Sequence, residues 1–282
     1  MRVTIFGATG MLGYALTNRW QEDEVTGLGS AQADIRDPEQ VRRVVQQSKP
    51  EWIVLCAAYT DVDGCELNPT LATNVNTYGP VNVAKAALAA NARLLFVSTD
   101  YVFDGHATEP YRIDHPRNPI NEYGRSKAEA ESRLLEVLPD CCIVRTSWLY
   151  GPAGKCFPDT ILKAAGAHPE LEVVNDQRGC PTYTLDLADA IVALCRSGAT
   201  GIVHCSNSGE CTWYEFACEI IRQSGLRTVV RPTTSDKYVR AAERPAYSVL
   251  ATDSLRQYGI EMRRWQRALA EYLRARQAAA AS

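Results

Sequence analysis

Apolar residues along this chain gather in short β-branched runs separated by longer stretches in which they recur every three or four positions. Residues 3–6 precede a helical pattern over 11–20, 52–55 precede one over 71–90, and 94–97 precede one over 123–138. A further run covers 142–144, and 24–28 reads as the second strand. Runs such as Ile53-Val54-Leu55 and Leu94-Leu95-Phe96-Val97 are apolar at every position, as strands buried on both faces must be. Strand and helix in alternation predict an α/β fold, a Rossmann-type doubly wound parallel sheet with helices on both faces.

The pattern changes after Tyr150-Gly151-Pro152, where Gly, Pro, Lys and Asp come together and a loop-rich stretch runs through Pro181. Two units are therefore expected, 1–150 and a smaller C-terminal lobe over 151–282. Segment 184–206 reads helix (185–195) then strand (201–204) and is expected to return to the first unit's sheet. Residues 265–274 form an amphipathic helix that should fade into a frayed, Ala-rich tail.

Composition narrows the function classes. The chain has 282 residues, 46% of them hydrophobic, and 33 acidic against 30 basic residues give a net charge of -3. No basic stripe stands out, so nucleic acid is not expected as a partner. The opening residues hold no apolar leader and no run is long enough to cross a bilayer, which predicts a cytoplasmic protein without a membrane partner. The ten cysteines form no C-x-x-C pair and have no histidine at metal spacing, so they read as free thiols, most of them small buried hydrophobes.

Gly7-Ala8-Thr9-Gly10-Met11-Leu12-Gly13 follows the first strand and opens the first helix. Glycines there let the backbone approach a pyrophosphate, whose charge is held by amides at the helix N-terminus. The spacing, G-x-x-G-x-x-G, resembles that of the short-chain dehydrogenase/reductase class. The second strand ends in Gly27-Leu28-Gly29-Ser30, without the acid that would hold a ribose 2′-hydroxyl and repel a 2′-phosphate. NADPH is thus expected as cofactor, with NADH also accepted. The first acids come later, at Asp34 and Asp37, where Asp34-Ile35-Arg36-Asp37 could equally be a loop ahead of a helix opened by Pro38.

Ser98-Thr99-Asp100 stand at the carboxyl end of a buried strand, where open α/β sheets place their ligands. Downstream, Tyr123 and Lys127 lie four residues apart on one helix face. Alone, Y-x-x-x-K is weak. Behind a glycine loop and a hydroxyl-bearing strand end it points to carbonyl reduction, which needs a hydride and a proton. A phenol of pKa about 10 is a poor acid near neutrality, and a neighbouring ammonium would lower it. Thr99 would bond the carbonyl oxygen.

Phe6 through Gly13, Ala57-Ala58-Tyr59-Thr60-Asp61-Val62-Asp63, Ser98 through Gly105, Tyr123 through Lys127, Arg145-Thr146-Ser147-Trp148, Asp176 through Thr182 and Arg244-Pro245 with Ser248 and Leu250 resemble the dTDP-4-dehydrorhamnose reductase family, over nearly the whole chain. The resemblance implies NAD(P)H-dependent reduction of the 4-keto group of a nucleotide-linked deoxysugar, with 1–150 binding the cofactor and 151–282 the nucleotide sugar. It implies Thr99, Tyr123 and Lys127 as catalytic residues. The cofactor site would comprise Gly7, Gly10, Met11, Leu12, Gly13, Asp34, Ile35, Ala58, Tyr59 and Thr60 together with Tyr123 and Lys127. Thr99, Asp100 and Trp148 would meet the substrate, although Trp148 also fits a core tryptophan. Some relatives use Mg2+ through a glutamate cluster at a dimer contact. No matching cluster is found here, so no metal ligand is named, and Mg2+ and a homodimer stay open. Two other classes compete. Sugar-nucleotide dehydratases carry glutamate after the Thr-Asp pair, where this chain has Tyr101, and epimerases share the fold and the Tyr-Lys pair. A non-catalytic regulatory subunit resembling that of methionine adenosyltransferase is the alternative outside enzymes, and the complete Thr99, Tyr123 and Lys127 set stands against it.

Overall fold

Strands that are apolar on both faces are stable only where helices shield each side, and the chain is built to that requirement. A computed structural model describes residues 1–281. Its first half runs β1 (Arg2–Phe6), α1 (Met11–Arg19), β2 (Glu24–Leu28), α2 (Pro38–Ser48), β3 (Trp52–Leu55), α3 (Val62–Leu67), α4 (Pro69–Thr73), α5 (Gly79–Ala89), β4 (Arg93–Thr99), α6 (Glu122–Val137) and β5 (Cys142–Thr146). The second half continues with β6 (Leu149–Tyr150), α7 (Phe157–Ala167), β7 (Glu170–Val174), β8 (Arg178–Gly179), β9 (Thr182–Tyr183), α8 (Thr184–Ser197), β10 (Gly201–His204), β11 (Cys211–Thr212), α9 (Trp213–Gln223), β12 (Val229–Thr233) and α10 (Trp265–Ala281).

Six strands form one sheet in the order β10-β5-β4-β3-β1-β2, every neighbour parallel. One face is filled by Phe6, Ile53, Leu55, Val83, Leu94, Phe96, Leu134 and Ile143. The other is filled by Val3, Ile5, Leu16, Val54, Leu95, Val144, Leu187 and Ile191. The chain leaves β1 for β2 on one side, and β3 starts the run to the other, so a crevice opens between the carboxyl ends of β1 and β3. β10 pairs with β5 at the far edge, and α8 packs against α1. The remaining second-half elements surround a separate cluster that includes Tyr150, Ile161, Tyr183, Phe216, Trp265 and Leu269.

Three elements differ from the sequence pattern. The helix expected over 71–90 is interrupted by a π turn at Asn74–Tyr78. Pro80 has no amide hydrogen to return to the preceding turn, which favours the wider register there. The stretch through Pro181, read as loop-rich, contains α7 and β7. Pro158 lies in the first turn of α7, where proline is tolerated, and Ile161 is buried on its inner face. The last helix does not end near Arg274 but continues to Ala281, as the high helix propensity of alanine allows.

Two glycines in the first turn are fixed by space. Gly7 has φ +87°, and a Cβ on it would lie 2.6 Å from the Ala57 amide nitrogen; a Cβ on Gly13 would lie 2.1 Å from the Gly7 carbonyl oxygen. Gly13→Ala should therefore push α1 off β1 and lower stability by about 1–3 kcal/mol. Urea unfolding measures it, and an unchanged midpoint would contradict this packing.

Candidate active site

The crevice at the β1–β3 switch holds a cleft of about 410 Å3 lined by Gly7, Gly10, Ser30, Asp34, Ile35, Ala58 and Tyr59, among others. The glycine turn gives its wall a bare backbone, as close approach by a pyrophosphate requires. The residues present thus fit a dinucleotide. Asp34 is gripped by Arg36, whose Nε lies 2.9 and 3.0 Å from the two carboxylate oxygens, and this guanidinium holds the carboxyl below its ordinary pKa. Ile35 is buried against Gly79, and the Tyr59 amide donates to Asn76 Oδ1 at 2.8 Å. Leu12 is in the core under the sheet, Gly13 packs α1 onto the turn, and Met11 reaches Gly154 and the second-half cluster. Thr60 is exposed and is not among the residues lining this cleft.

Thr99 ends β4, and Tyr123 lies in the first turn of α6, whose start is fixed by Asn121: its Oδ1 accepts from the Gly124 amide at 2.8 Å, and its Nδ2 donates to the Glu243 carbonyl at 2.7 Å. The parallel strand end and the helix start bring Thr99 and Tyr123 together at one edge of the sheet. Lys127 is buried one turn along α6. Its Nζ donates to the Val97 carbonyl at 2.7 Å and lies 3.9 Å from the Phe96 ring centroid. Burial pulls the Lys127 ammonium down to about 7, opposed chiefly by Glu131. Burial also raises the Tyr123 phenol above its ordinary value, and Thr99 is the one group pulling it back. Lys127, expected to lower that phenol, is not among the groups that do so, because its ammonium is turned to the Val97 carbonyl.

Asp100 follows Thr99 and is buried, with Thr99 Oγ1 donating to its Oδ1 at 3.0 Å. Its Oδ2 finds no protein partner, and burial lifts the carboxyl to about 7 against the pull of Ser248 and Thr99. Next to it, Tyr101 meets the Tyr123 ring edge-on, with centroids 5.9 Å apart. Beyond Tyr101 opens a cavity of about 970 Å3 between the strand ends and the second half, also lined by Asp104, Asp176, Gln177, Trp213 and the segment 240–244. That segment is tied to the first half by Asp63, which accepts from Arg244 Nη1 at 2.6 Å, Arg244 Nη2 at 2.8 Å and the Ala242 amide at 3.1 Å. Trp148 is half-buried, stacked on Trp213 with centroids 3.5 Å apart and planes 5° apart, over Gly179. Trp213, rather than Trp148, lines the cavity. Trp148 also has φ +47°, the left-handed region that disfavours a bulky side chain. Sequence reasoning missed Trp213 and the Asp63–Arg244 tie, because neither has a local pattern. Among the described residues no group of three His, Cys, Asp or Glu could hold a metal ion, and no helix is long and apolar enough to cross a membrane.

Sheet topology, glycine turn and the Thr99, Tyr123 and Lys127 grouping define a member of the extended short-chain dehydrogenase/reductase class. The family model described as the RmlD substrate binding domain matches residues 1–278. A dTDP-4-dehydrorhamnose reductase of Streptomyces griseus is 43% identical over 280 residues, covering 96% of this chain and 92% of its own. Among solved structures, a dTDP-4-dehydrorhamnose reductase from Clostridium acetobutylicum superposes with a TM-score of 0.96 at 38% identity, covering 98% of this chain and 100% of that one. The Bacillus anthracis enzyme, crystallised in complex with NADP, gives 0.94 at 38% identity, covering 96% and 98%. The chain belongs to the dTDP-4-dehydrorhamnose reductase family and is an oxidoreductase.

The buried Asp100 carboxyl has a consequence for stability. Its folded pKa lies above its unfolded one, so the folded state holds a proton that the unfolded chain releases first. Stability is lost as pH rises from about 4 toward 7. Asp100→Asn should therefore match the parent near pH 4 and exceed it above pH 7 by up to about 4 kcal/mol. Thermal unfolding across pH checks it; a gap that does not grow with pH would count against the burial argument.

Proposed function

We propose that this protein reduces the 4-keto group of dTDP-4-dehydrorhamnose to give dTDP-rhamnose, using NADPH. The observation that carries this reading is the grouping of Thr99, Tyr123 and Lys127 at the end of β4 and the start of α6, beside Tyr101, which lines the 970 Å3 cavity. NADPH supplies the hydride that reaches the keto carbon. The Tyr123 phenol gives its proton to the resulting oxygen, with the Thr99 hydroxyl orienting that oxygen. Lys127, one helical turn past Tyr123, would favour the phenolate left behind once its ammonium turns from the Val97 carbonyl toward it. The glycine turn, with Asp34, Ile35, Ala58 and Tyr59, would hold the dinucleotide. The Gly29-Ser30 end of β2 has no acid to repel a 2′-phosphate, so NADPH should serve at least as well as NADH.

The reading extends to the division of labour between the halves. The first 150 residues, joined at the sheet edge by 184–206, bind the cofactor; the rest of 151–282 binds the sugar nucleotide over the cavity. Asp100 and Trp148 act on the substrate side, Trp148 as part of an aromatic wall with Trp213. Ten free thiols, eight of them buried, are compatible with work in the reducing cytoplasm.

The test is NADPH oxidation in the presence of dTDP-4-dehydrorhamnose. Turnover should be seen with the parent protein and should fall by about 10²–10⁴ in Tyr123→Phe, which keeps the ring and loses the proton. A folded Tyr123→Phe protein with near-full turnover would remove the assignment. Trp148→Ala should raise KM for the nucleotide sugar several-fold while leaving NADPH affinity within about twofold, since the glycine turn is untouched. Equal loss of both, measured by separate titrations, would return Trp148 to a packing role.

A further inference from the structure

Behind the catalytic face of α6 lies a buried charge cluster that the proton-transfer reading leaves unused. Glu131 follows Lys127 by four residues, so the two lie on one helix face. Its carboxylate is fully buried and accepts from Ser98 Oγ at 2.6 Å, Arg145 Nε at 2.9 Å, Arg145 Nη2 at 2.7 Å and Arg117 Nη1 at 3.2 Å. Sheet register assembles the group: β4 and β5 set Ser98 beside Arg145, and β5 and β10 set Arg145 beside His204. The His204 ring approaches Arg145 Nη1 to 3.3 Å, and burial, then that guanidinium, push it down to about 3, so it adds no charge near neutrality.

Ser98 stands between the two backbone positions on which the site depends. Val97 takes the Lys127 ammonium on its carbonyl, and Thr99 presents its hydroxyl to Tyr123. A tether at position 98 therefore fixes both contacts at once. The groups bearing on Lys127 are Glu131 on its own helix, the Phe96 ring and the Val97 carbonyl on β4 and the Cys56 thiol after β3; Arg145, Arg117 and His204 lie beyond Glu131. One carboxylate thus separates the ammonium from two guanidiniums.

We propose that Glu131 is a positioning residue for proton transfer: its carboxylate pins β4 through Ser98, keeps Val97 and Thr99 in register with Lys127 and Tyr123, and offsets Arg145 and Arg117 behind the ammonium. This rests on the roles given above to Tyr123 and Lys127. A buried ion pair that loses one partner often unfolds, so two variants are needed. Ser98→Ala removes the tether and leaves the Glu131–Arg145 pair intact. Glu131→Gln removes the charge.

Both are assayed with NADPH and dTDP-4-dehydrorhamnose across about pH 6 to 9, beside Tyr123→Phe. Ser98→Ala should lower kcat about tenfold, the weight of one charge-assisted hydrogen bond, with KM for both substrates little changed. In Glu131→Gln the fall of activity on the alkaline side should begin about one pH unit lower, because Lys127 must keep its proton without its nearest counter-charge. Glu131→Asp should restore the parent profile. A parent-like kcat in Ser98→Ala, or a folded Glu131→Gln with an unmoved alkaline limb, overturns the inference; should Glu131→Gln not fold, the Ser98→Ala kcat decides. If Tyr123→Phe keeps its turnover, the site reading falls and this inference with it. If Tyr123→Phe is inactive and Ser98→Ala is parent-like, only the role of Glu131 is lost.

Discussion

Six strands that run the same way must end along the same edge, and everything this protein offers to a ligand is a consequence of that constraint. Residues 7, 56 and 99 are distant in sequence, yet each follows or closes a strand of one sheet and they share one rim. The rim needs no long loops to converge, because register between neighbours already sets the level of each strand end. Order at the edge is inherited from apolar packing beneath it. Helices on both faces hold the strands at that level.

The arrangement also explains where polar groups can be buried. Lys127, Glu131, Arg145 and Asp100 are all nearly inaccessible, a costly state for charged groups. Most of the cost is met by pairing. Arg145 and Glu131 satisfy each other in a two-pronged contact, and Lys127 spends its proton on a carbonyl and its charge on an aromatic face. Asp100 is the exception, with one carboxylate oxygen left without a protein partner.

Much of this was legible in the sequence, and what was not has a physical reason. Continuous apolar runs gave away the buried strands, because burial on both faces leaves no room for polar alternation. The glycine turn and the Tyr123–Lys127 spacing were local, and local patterns survive being read one residue at a time. The π turn at Asn74–Tyr78 interrupts a stretch whose apolar spacing is helical throughout, and α7 is masked by the Pro158 in its first turn. Contacts made through register or across the cleft left no mark: the pairing of Ser98, Arg145 and Glu131, the Trp148–Trp213 stack and the Asp63–Arg244 tie join residues between 14 and 181 positions apart. Glu131 was four residues past Lys127 in plain view, but only the sheet shows what its carboxylate receives.

The Asp63 tie joins the first turn of α3 to the segment over the cavity through a charge pair that is about a quarter open to solvent on the carboxylate side. The neighbouring guanidinium keeps the Asp63 carboxyl well below the usual carboxylate range, so mild acid leaves the pair charged. Dissolved ions act on it differently, since a solvent-facing pair is weakened within a Debye length of about 8 Å at physiological salt. The span between the two halves therefore answers to ionic strength more readily than to mild acid, a clasp whose grip is set by the medium.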